Sequence, residues 1–227
     1  MGRLKRVIIP GCPHHIIQRG NRRQKVFFNN DDKKFYLHLL NYHSKKEKIK
    51  IWCYCLMDNH VHFVAVPEKA EHFSKAIGEI HRKYTTAINI RNNWKGRLWQ
   101  GRYYSYPMDE IHTYRAVRYI ERNPVRAKIV KFAENYLWSS AKSHVTGTYD
   151  KVLSYFYLLK DIKDWRCYLR IVETEEERML FRKHEKTGRP LGSLSFIMKA
   201  EKITGRKLRK KKTGRPPKKI EKTGKRV

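Results

Sequence analysis

The amino-acid sequence predicts an α+β protein: an antiparallel ferredoxin-like split β-α-β sheet with helices on one face, followed by a helical C-terminal extension and a basic tail. Three observations predict it. Short strand-type runs alternate with helix-type runs in the order β-α-β-β-α-β through the first 106 residues, which is the order of the split unit. Two of the strands are separated only by Asp58-Asn59, a pair that tolerates tight-turn conformations. The apolar content is 40%, enough for one sizeable core, and no apolar run reaches the length of a membrane span.

Each element has its own signal. Residues 14–19 read as a strand, closed by Gly20-Asn21. Asp31 or Asp32 can then cap a helix whose apolar stripe is Phe35, Tyr36, Leu39 and Leu40. Residues 49–56 and 61–66 read as the hairpin strands around Asp58-Asn59. From about 71 to 92 the apolar positions Phe73, Ile77, Ile80, Tyr84 and Ile88 recur at helical spacing. Residues 102–106 form the fourth strand. The next helix starts from the cap Asp109 and runs to about Asn123, where Pro124 disfavours continuation. Its core-facing set is Ile111, Tyr114, Val117 and Ile120, while His112, Arg115, Tyr119 and Asn123 fall on a second, more polar stripe. With its helices on one face, such a sheet is expected to leave the other free to hold a substrate.

Charge narrows the partner. Lys and Arg number 52 against 21 Asp and Glu, a formal net charge of +31, far more than solubility needs and matched to a polyanion. Nucleic acid is expected and a membrane is not, because the chain offers neither a span nor an amphipathic anchor. The first residues contain too short an apolar stretch for a signal peptide. The four cysteines, Cys12, Cys53, Cys55 and Cys167, form no CxxC pair. A reducing, cytoplasmic and nucleoid-associated setting is expected, with Cys53 and Cys55 as small core residues.

The chemistry-bearing signal is His60-Val61-His62. Residues two apart on a strand share a face, so the two imidazoles can form a metal clamp. Such pairs also occur as ordinary packed residues and in other metallohydrolases. Tyr119 and Asn123, one helical turn apart, are neighbours on their stripe; a phenol beside a metal-bound phosphate can attack phosphorus, and an amide can lend oxygen to the metal. On residue grounds alone Tyr119 is one of 14 tyrosines, and packing accounts for it as well.

Four stretches, taken together and in order, change the weights: Gln18-Arg19-Gly20-Asn21-Arg22-Arg23, Trp52 to His62, Leu98 to Ser105, and Arg118 to Ala127. Across about two-thirds of the chain they resemble the HUH-type single-tyrosine transposases, in particular the REP-associated tyrosine transposases. The resemblance implies that His60 and His62 are metal ligands, Tyr119 the nucleophile and Asn123 a third, amide-type ligand. Many transposases of the broader class carry Gln at that last position. It implies Mg2+ or Mn2+ as cofactor and single-stranded, hairpin-forming DNA as partner. Nicking and rejoining would pass through a 5′-phosphotyrosine link. Relatives include dimeric and monomeric proteins, so a homodimer stays open. Residues 1–145 would be the catalytic domain, 146–205 the helical extension and 206–227 a disordered basic tail.

DNA contact is expected from Arg19, Asn21, Arg22, Arg23 and Lys25 through phosphates. Trp99, Tyr103 and Tyr104, beside Arg97 and Arg102, read equally as platforms for unpaired bases and as core residues. The tail holds 12 Lys or Arg against the single acid Glu221. Its Thr213-Gly214-Arg215-Pro216-Pro217 echoes Thr187-Gly188-Arg189-Pro190 and resembles a minor-groove hook centred on Arg215. Two other classes fit the same residues: a DNA-binding regulator that no longer cleaves, and an HxH metallophosphoesterase that uses activated water.

Overall fold

Strand β1 (His14–Arg19), helix α1 (Asn30–Lys46), strands β2 (Ile49–Met57) and β3 (His60–Pro67), helix α2 (Ala70–Arg91) and strand β4 (Tyr104–Pro107) follow one another in the expected order. The structure is a computed structural model and describes residues 5–209. The sheet runs β2-β3-β1-β4 with every neighbouring pair antiparallel, the split β-α-β order. Helix α1 begins with a capping box. The Asn29 side chain accepts from the Asp32 amide, and Asp32 accepts in return from the Asn29 amide. The cap is therefore Asn29, not Asp31 or Asp32, because the chain needs one oxygen on each side of the first turn.

Alternation sorts the strands' side chains by face. Ile16, Val61, Phe63, Ala65 and Leu56 join Tyr36, Leu39, Phe73, Ile77 and Tyr84 of α1 and α2 in one core. Ile17, Val64, Val66, Cys53 and Cys55 point to the opposite face. Cys12, Cys53, Cys55 and Cys167 are free thiols, and the two on β2 are buried.

The second face is not open, and here the sequence expectation is corrected. Helix α3 (Glu110–Glu121), followed directly by the short α4 (Asn123–Arg126), lies across it with Ala116, Val117 and Ile120 inward. Ile111, expected in that stripe, is 63% exposed. The small residues Thr113 and Ala116 set the buried face instead and let the helix approach the sheet closely. Downstream of the short helix α5 (Ala141–Thr146), Phe156, Leu158, Trp165, Leu169 and Phe181 complete the same core. Short helices α6 (Leu158–Asp161) and α7 (Trp165–Arg170) and the longer α8 (Glu175–Thr187) and α9 (Leu194–Thr204) carry the extension.

Two polar devices dock that extension. Glu121, fully buried, accepts from Ser140 Oγ, from His144 Nδ1 at 2.6 Å and from Trp165 Nε1 at 2.8 Å, so each carboxylate oxygen is satisfied. The acidic run 173–177 meets an arginine ladder. Arg118 pairs with Glu177 at 3.1 Å, and Arg122 and Arg126 each pair with Glu173 at 3.2 Å.

A small third core of Val7, Ile9, Cys12, Ala200 and Leu208 ties the two ends of the described chain together. Leu208 is 5% exposed, and the Leu208 and Arg209 amides donate to Glu201 Oε1. Residues 206–209, assigned to a disordered tail by the sequence reading, are thus held by packing and hydrogen bonds. The rest of that tail, including Arg215, lies outside the described residues. Among the described residues no helix is long and apolar enough to cross a membrane.

Candidate active site

The β2–β3 turn is clamped from three sides. Gly20 donates its amide to the Asn59 carbonyl at 2.8 Å, Val26 and Phe27 donate to the Asp58 carbonyl, and Lys33 Nζ pairs with Asp58 at 2.8 Å. A Cβ at Gly20 would stand 2.2 Å from the Gln24 carbonyl oxygen, so the loop that holds the turn closes only around a glycine. From this fixed turn β3 projects His60 and His62 onto the second face, their ring centroids 4.9 Å apart, while Val61 enters the first core.

Each imidazole has one nitrogen already committed. His60 Nδ1 lies 2.5 Å from Asn59 Oδ1, and Asn59 Nδ2 donates to the Arg23 carbonyl at 3.1 Å, which fixes which end of the amide faces the ring. His62 Nδ1 lies 2.9 Å from His15 Nε2, and His15 Nδ1 lies 2.6 Å from the Tyr106 hydroxyl. Nε2 is the remaining nitrogen on each ring, and on His60 the Asn123 side chain meets it. Burial, with Arg19 and Arg126 close by, pushes His60 down to about 3, and burial above all holds His62 well below the ordinary histidine range. The pair is neutral at physiological pH, the form that can donate a lone pair.

Helix α3 carries Tyr119 to the same place. Its ring centroid is 6.1 Å from that of His62, 4.8 Å from Phe181, and 4.0 Å from the Arg126 guanidinium carbon, which lies over the ring. The side chain is 6% exposed, and burial raises its phenol although Arg126 pulls the other way. Helix α3 ends at Glu121, and α4 starts at Asn123 with Pro124 in its first turn. This break points the Asn123 amide back at His60: its side chain hydrogen-bonds that ring, and its own Nδ2 is buried with no partner.

His60, His62, Tyr119 and Asn123 line one cleft of about 540 Å³ together with Arg19, Arg23, Arg126, Arg182, Lys186 and Glu185. The cleft is strongly cationic. Glu185, from α8, is its one carboxylate, and burial raises its pKa above the ordinary carboxylate value while the surrounding arginines oppose the shift. Among the described residues no three His, Cys, Asp or Glu groups converge. A cation held by the imidazole pair would therefore draw its other oxygens from an amide, a phosphate or water.

The other expected DNA contacts fare unequally. Arg19 and Arg23 line the cleft, Asn21 and Arg22 sit beside them in a short 3-10 turn, and Lys25 is exposed near Asp58 at 4.0 Å. Arg97 and Arg102 are exposed, and Tyr104 is half-buried on β4. The stacking roles of Trp99 and Tyr103 are corrected. Trp99, 6% exposed, packs against His81, Tyr36 and Tyr84, and Tyr103, 5% exposed, lies under the Arg6 guanidinium at 3.6 Å. Both rings belong to the first core and are nearly fully buried there, which leaves little of either to meet a base.

Sequence reasoning missed His15, Asn59, Arg126 and Glu185. His15 lies two residues before Ile17, which pairs with His62 in the β1–β3 register, so the strand phase held a signal. Asn59 was read only as a turn former. Glu185 arrives from a helix 66 residues beyond Tyr119, a separation that local pattern does not bridge.

Fold and cleft together define a DNA transposase. The chain belongs to the IS200-like transposase family, whose model matches residues 9–123, just over half of its length. Among solved structures it is similar to a REP-associated tyrosine transposase bound to a REP hairpin, at 22% identity and a TM-score of 0.56, covering 69% of this chain and 93% of that one. It is also similar to a protein of Deinococcus radiodurans R1 described as a transposase, at 20% identity and a TM-score of 0.37, covering 53% and 97%. No curated protein matches the chain in sequence.

Proposed function

We propose that this transposase nicks and rejoins single-stranded DNA, at hairpin or repeat sequences, through a covalent bond between Tyr119 and a 5′-phosphate. The observation that carries the reading is the convergence of a phenol, two neutral imidazoles and the Asn123 amide on one cationic cleft. The hairpin bound by the similar REP-associated transposase supports folded single-stranded DNA as the substrate.

The donor set fits a hard divalent ion. The Nε2 atoms of His60 and His62 and the Asn123 side-chain oxygen would hold Mg2+ or Mn2+, and the Asn123 amide already stands against the His60 ring with its Nδ2 buried and unpartnered. The ion would supply polarisation of the scissile phosphate's non-bridging oxygen. Arg19, Arg23, Arg126 and Arg182 bring the phosphate into the cleft and balance its charge. Attack forms the Tyr119 Oη–P bond and breaks the P–O3′ bond, leaving a free 3′-hydroxyl. The phenol is protonated before attack, because burial raises it, and Glu185 is the carboxylate in the cleft able to take the proton and return it to the departing oxygen. Rejoining reverses these moves, with a 3′-hydroxyl as nucleophile.

Incubation of the protein with end-labelled single-stranded DNA from its own genomic flanks and Mg2+ should give a denaturation-resistant adduct. Tyr119→Phe should abolish the adduct while changing DNA affinity less than about threefold, since a lost nucleophile removes chemistry rather than phosphate contacts. Cleavage that persists in this variant would assign the reaction to activated water. A wild-type protein that binds but never cleaves would be a regulator.

A further inference from the structure

A line of buried rings crosses the second face of the sheet behind the cleft. In the strand registers His15 of β1 stands directly opposite Tyr106 of β4, and Ile17, two positions on, stands opposite His62 of β3. Alternation puts His15, Tyr106 and His62 on one face, and the diagonal from β1 to β3 is short enough for two imidazoles to meet. His62 Nδ1 lies 2.9 Å from His15 Nε2, and His15 Nδ1 lies 2.6 Å from the Tyr106 hydroxyl. His15 and Tyr106 are fully buried and His62 nearly so, with Tyr119 and Phe181 edge-on to the His15 ring. A leucine would fill the place of His15 without desolvating two ring nitrogens, so a histidine is costly there unless both nitrogens are used.

The two cleft imidazoles are held by unlike partners. His60 Nδ1 faces the Asn59 side-chain oxygen, in an amide oriented by its own donation to the Arg23 carbonyl, and such an oxygen can only accept. His60 therefore carries its proton on Nδ1. His62 faces another imidazole, which can accept or donate, so its tautomer is decided one link further on. When His15 accepts from His62, the proton of His15 sits on Nδ1 and points at the Tyr106 oxygen, and His62 Nε2 keeps a lone pair. When Tyr106 donates to His15 instead, His15 donates from Nε2 to His62 Nδ1, and His62 Nε2 carries a proton that bars a cation. The same rings have two proton orders, and only one of them makes a ligand.

We propose that His15, backed by Tyr106, is a positioning residue that sets the ligating tautomer of His62 by accepting its Nδ1 proton, and that divalent-ion binding selects the proton order running from His62 to Tyr106. The inference rests on the ion proposed above for His60 and His62 and deepens it. One ligand is fixed in advance by an amide, and the other is switched by a buried chain.

The test uses the full chain. Mn2+ affinity by calorimetric titration should fall about 10- to 100-fold in His15→Leu, the loss expected when a group that orients a ligating ring is removed. His15→Gln puts an amide oxygen where Nε2 stands, accepts the same proton, and should stay within about threefold of the wild-type protein. Tyr106→Phe removes the last acceptor and should lie between them, with a loss of about fivefold. The tautomers themselves give a spectroscopic signature. With isotope-labelled histidine and saturating Mg2+, proton–nitrogen correlation should show His15 and His62 both protonated at Nδ1. Wild-type Mn2+ affinity in folded His15→Leu, or equal losses in His15→Leu and His15→Gln, would overturn the role. So would a His15 ring protonated at Nε2 in the ion-bound wild-type protein, a result that needs no variant to fold. A wild-type protein without Mn2+ affinity would instead overturn the ion at His60 and His62, and the role of His15 with it.

Discussion

The two faces of the one sheet are built from different materials. On the first, Tyr36, Phe63, Phe73, Ile77 and Tyr84 form an aromatic and aliphatic core between the strands and helices α1 and α2. On the second, the core shares its space with His15, His62, Glu121, Arg118 and Arg122, all buried and most of them paired with one another or with the extension. The strands alternate, so both faces are written in the same four to nine residues of each strand. The difference teaches that stability and chemistry are separated by strand parity: odd positions of β1 and even positions of β3 serve the cleft, and the others serve the fold. The second face can carry charge because α3 and the extension arrive with counter-charges, and the cleft remains where that cover stops, at the turn end of β3.

The sharpest way to break this division is to damage the first face alone. Phe73→Ala removes a fully buried ring from the first core and should cost about 3–5 kcal/mol in urea unfolding. The folded fraction should retain the divalent-ion affinity of the wild-type protein, because Phe73 lies in the first core while His60 and His62 project onto the other face. A loss of ion affinity at the same temperature would show that the faces are coupled. Asn59→Ala is the reciprocal change. It frees His60 Nδ1 and the Arg23 carbonyl; losing the group that orients a ligating ring weakens metal binding by about 10- to 100-fold, while a half-buried turn position costs stability about 1 kcal/mol. Calorimetric titration with Mn2+ alongside thermal unfolding separates the two effects. Intact affinity would mean that the Asn59 contact does not set the tautomer.

How far the sequence revealed each face follows the same division. The first face was legible almost residue by residue, since Phe73, Ile77, Ile80, Tyr84 and Ile88 are large, apolar and strictly periodic, and all are buried. The second was legible at its motif residues and not in its cover. His60, His62, Tyr119 and Asn123 meet in one cleft; on the helix that carries Tyr119, Val117 and Ile120 are buried as expected, but Ile111 is exposed and Thr113 and Ala116, too small to signal a stripe, complete the buried face. The extension's polar docking by Glu121 and the arginine ladder has no periodic signature at all. Trp99 and Tyr103 misled in the opposite sense: flanking arginines suggested nucleic acid, yet the first core needed both rings.

Acid sensitivity gives the finest test, because both faces bury imidazoles and a divalent ion would protect those of one face alone. Burial pushes His14 to about 4 and His81 to about 3 on the first face, and His15 and His60 to about 3 on the second, with His62 also well below its ordinary value. The sign is fixed by linkage: these rings stay neutral when folded and gain protons only when unfolded, so their contribution is fully present above about pH 6.5 and is lost as pH falls toward 3. Each ring can contribute up to about 1.4 kcal/mol of destabilisation per pH unit in that window. Without added metal, the midpoint for unfolding should therefore fall steeply between pH 6.5 and 4. Mn2+ competes with protons for His60 and His62 but not for His14 or His81, so it should flatten the fall only in part. In His60→Ala/His62→Ala the fall should be shallower, and Mn2+ should have no effect on it. Equal protection by Mn2+ in that variant would place the ion elsewhere and remove the distinction between the two faces.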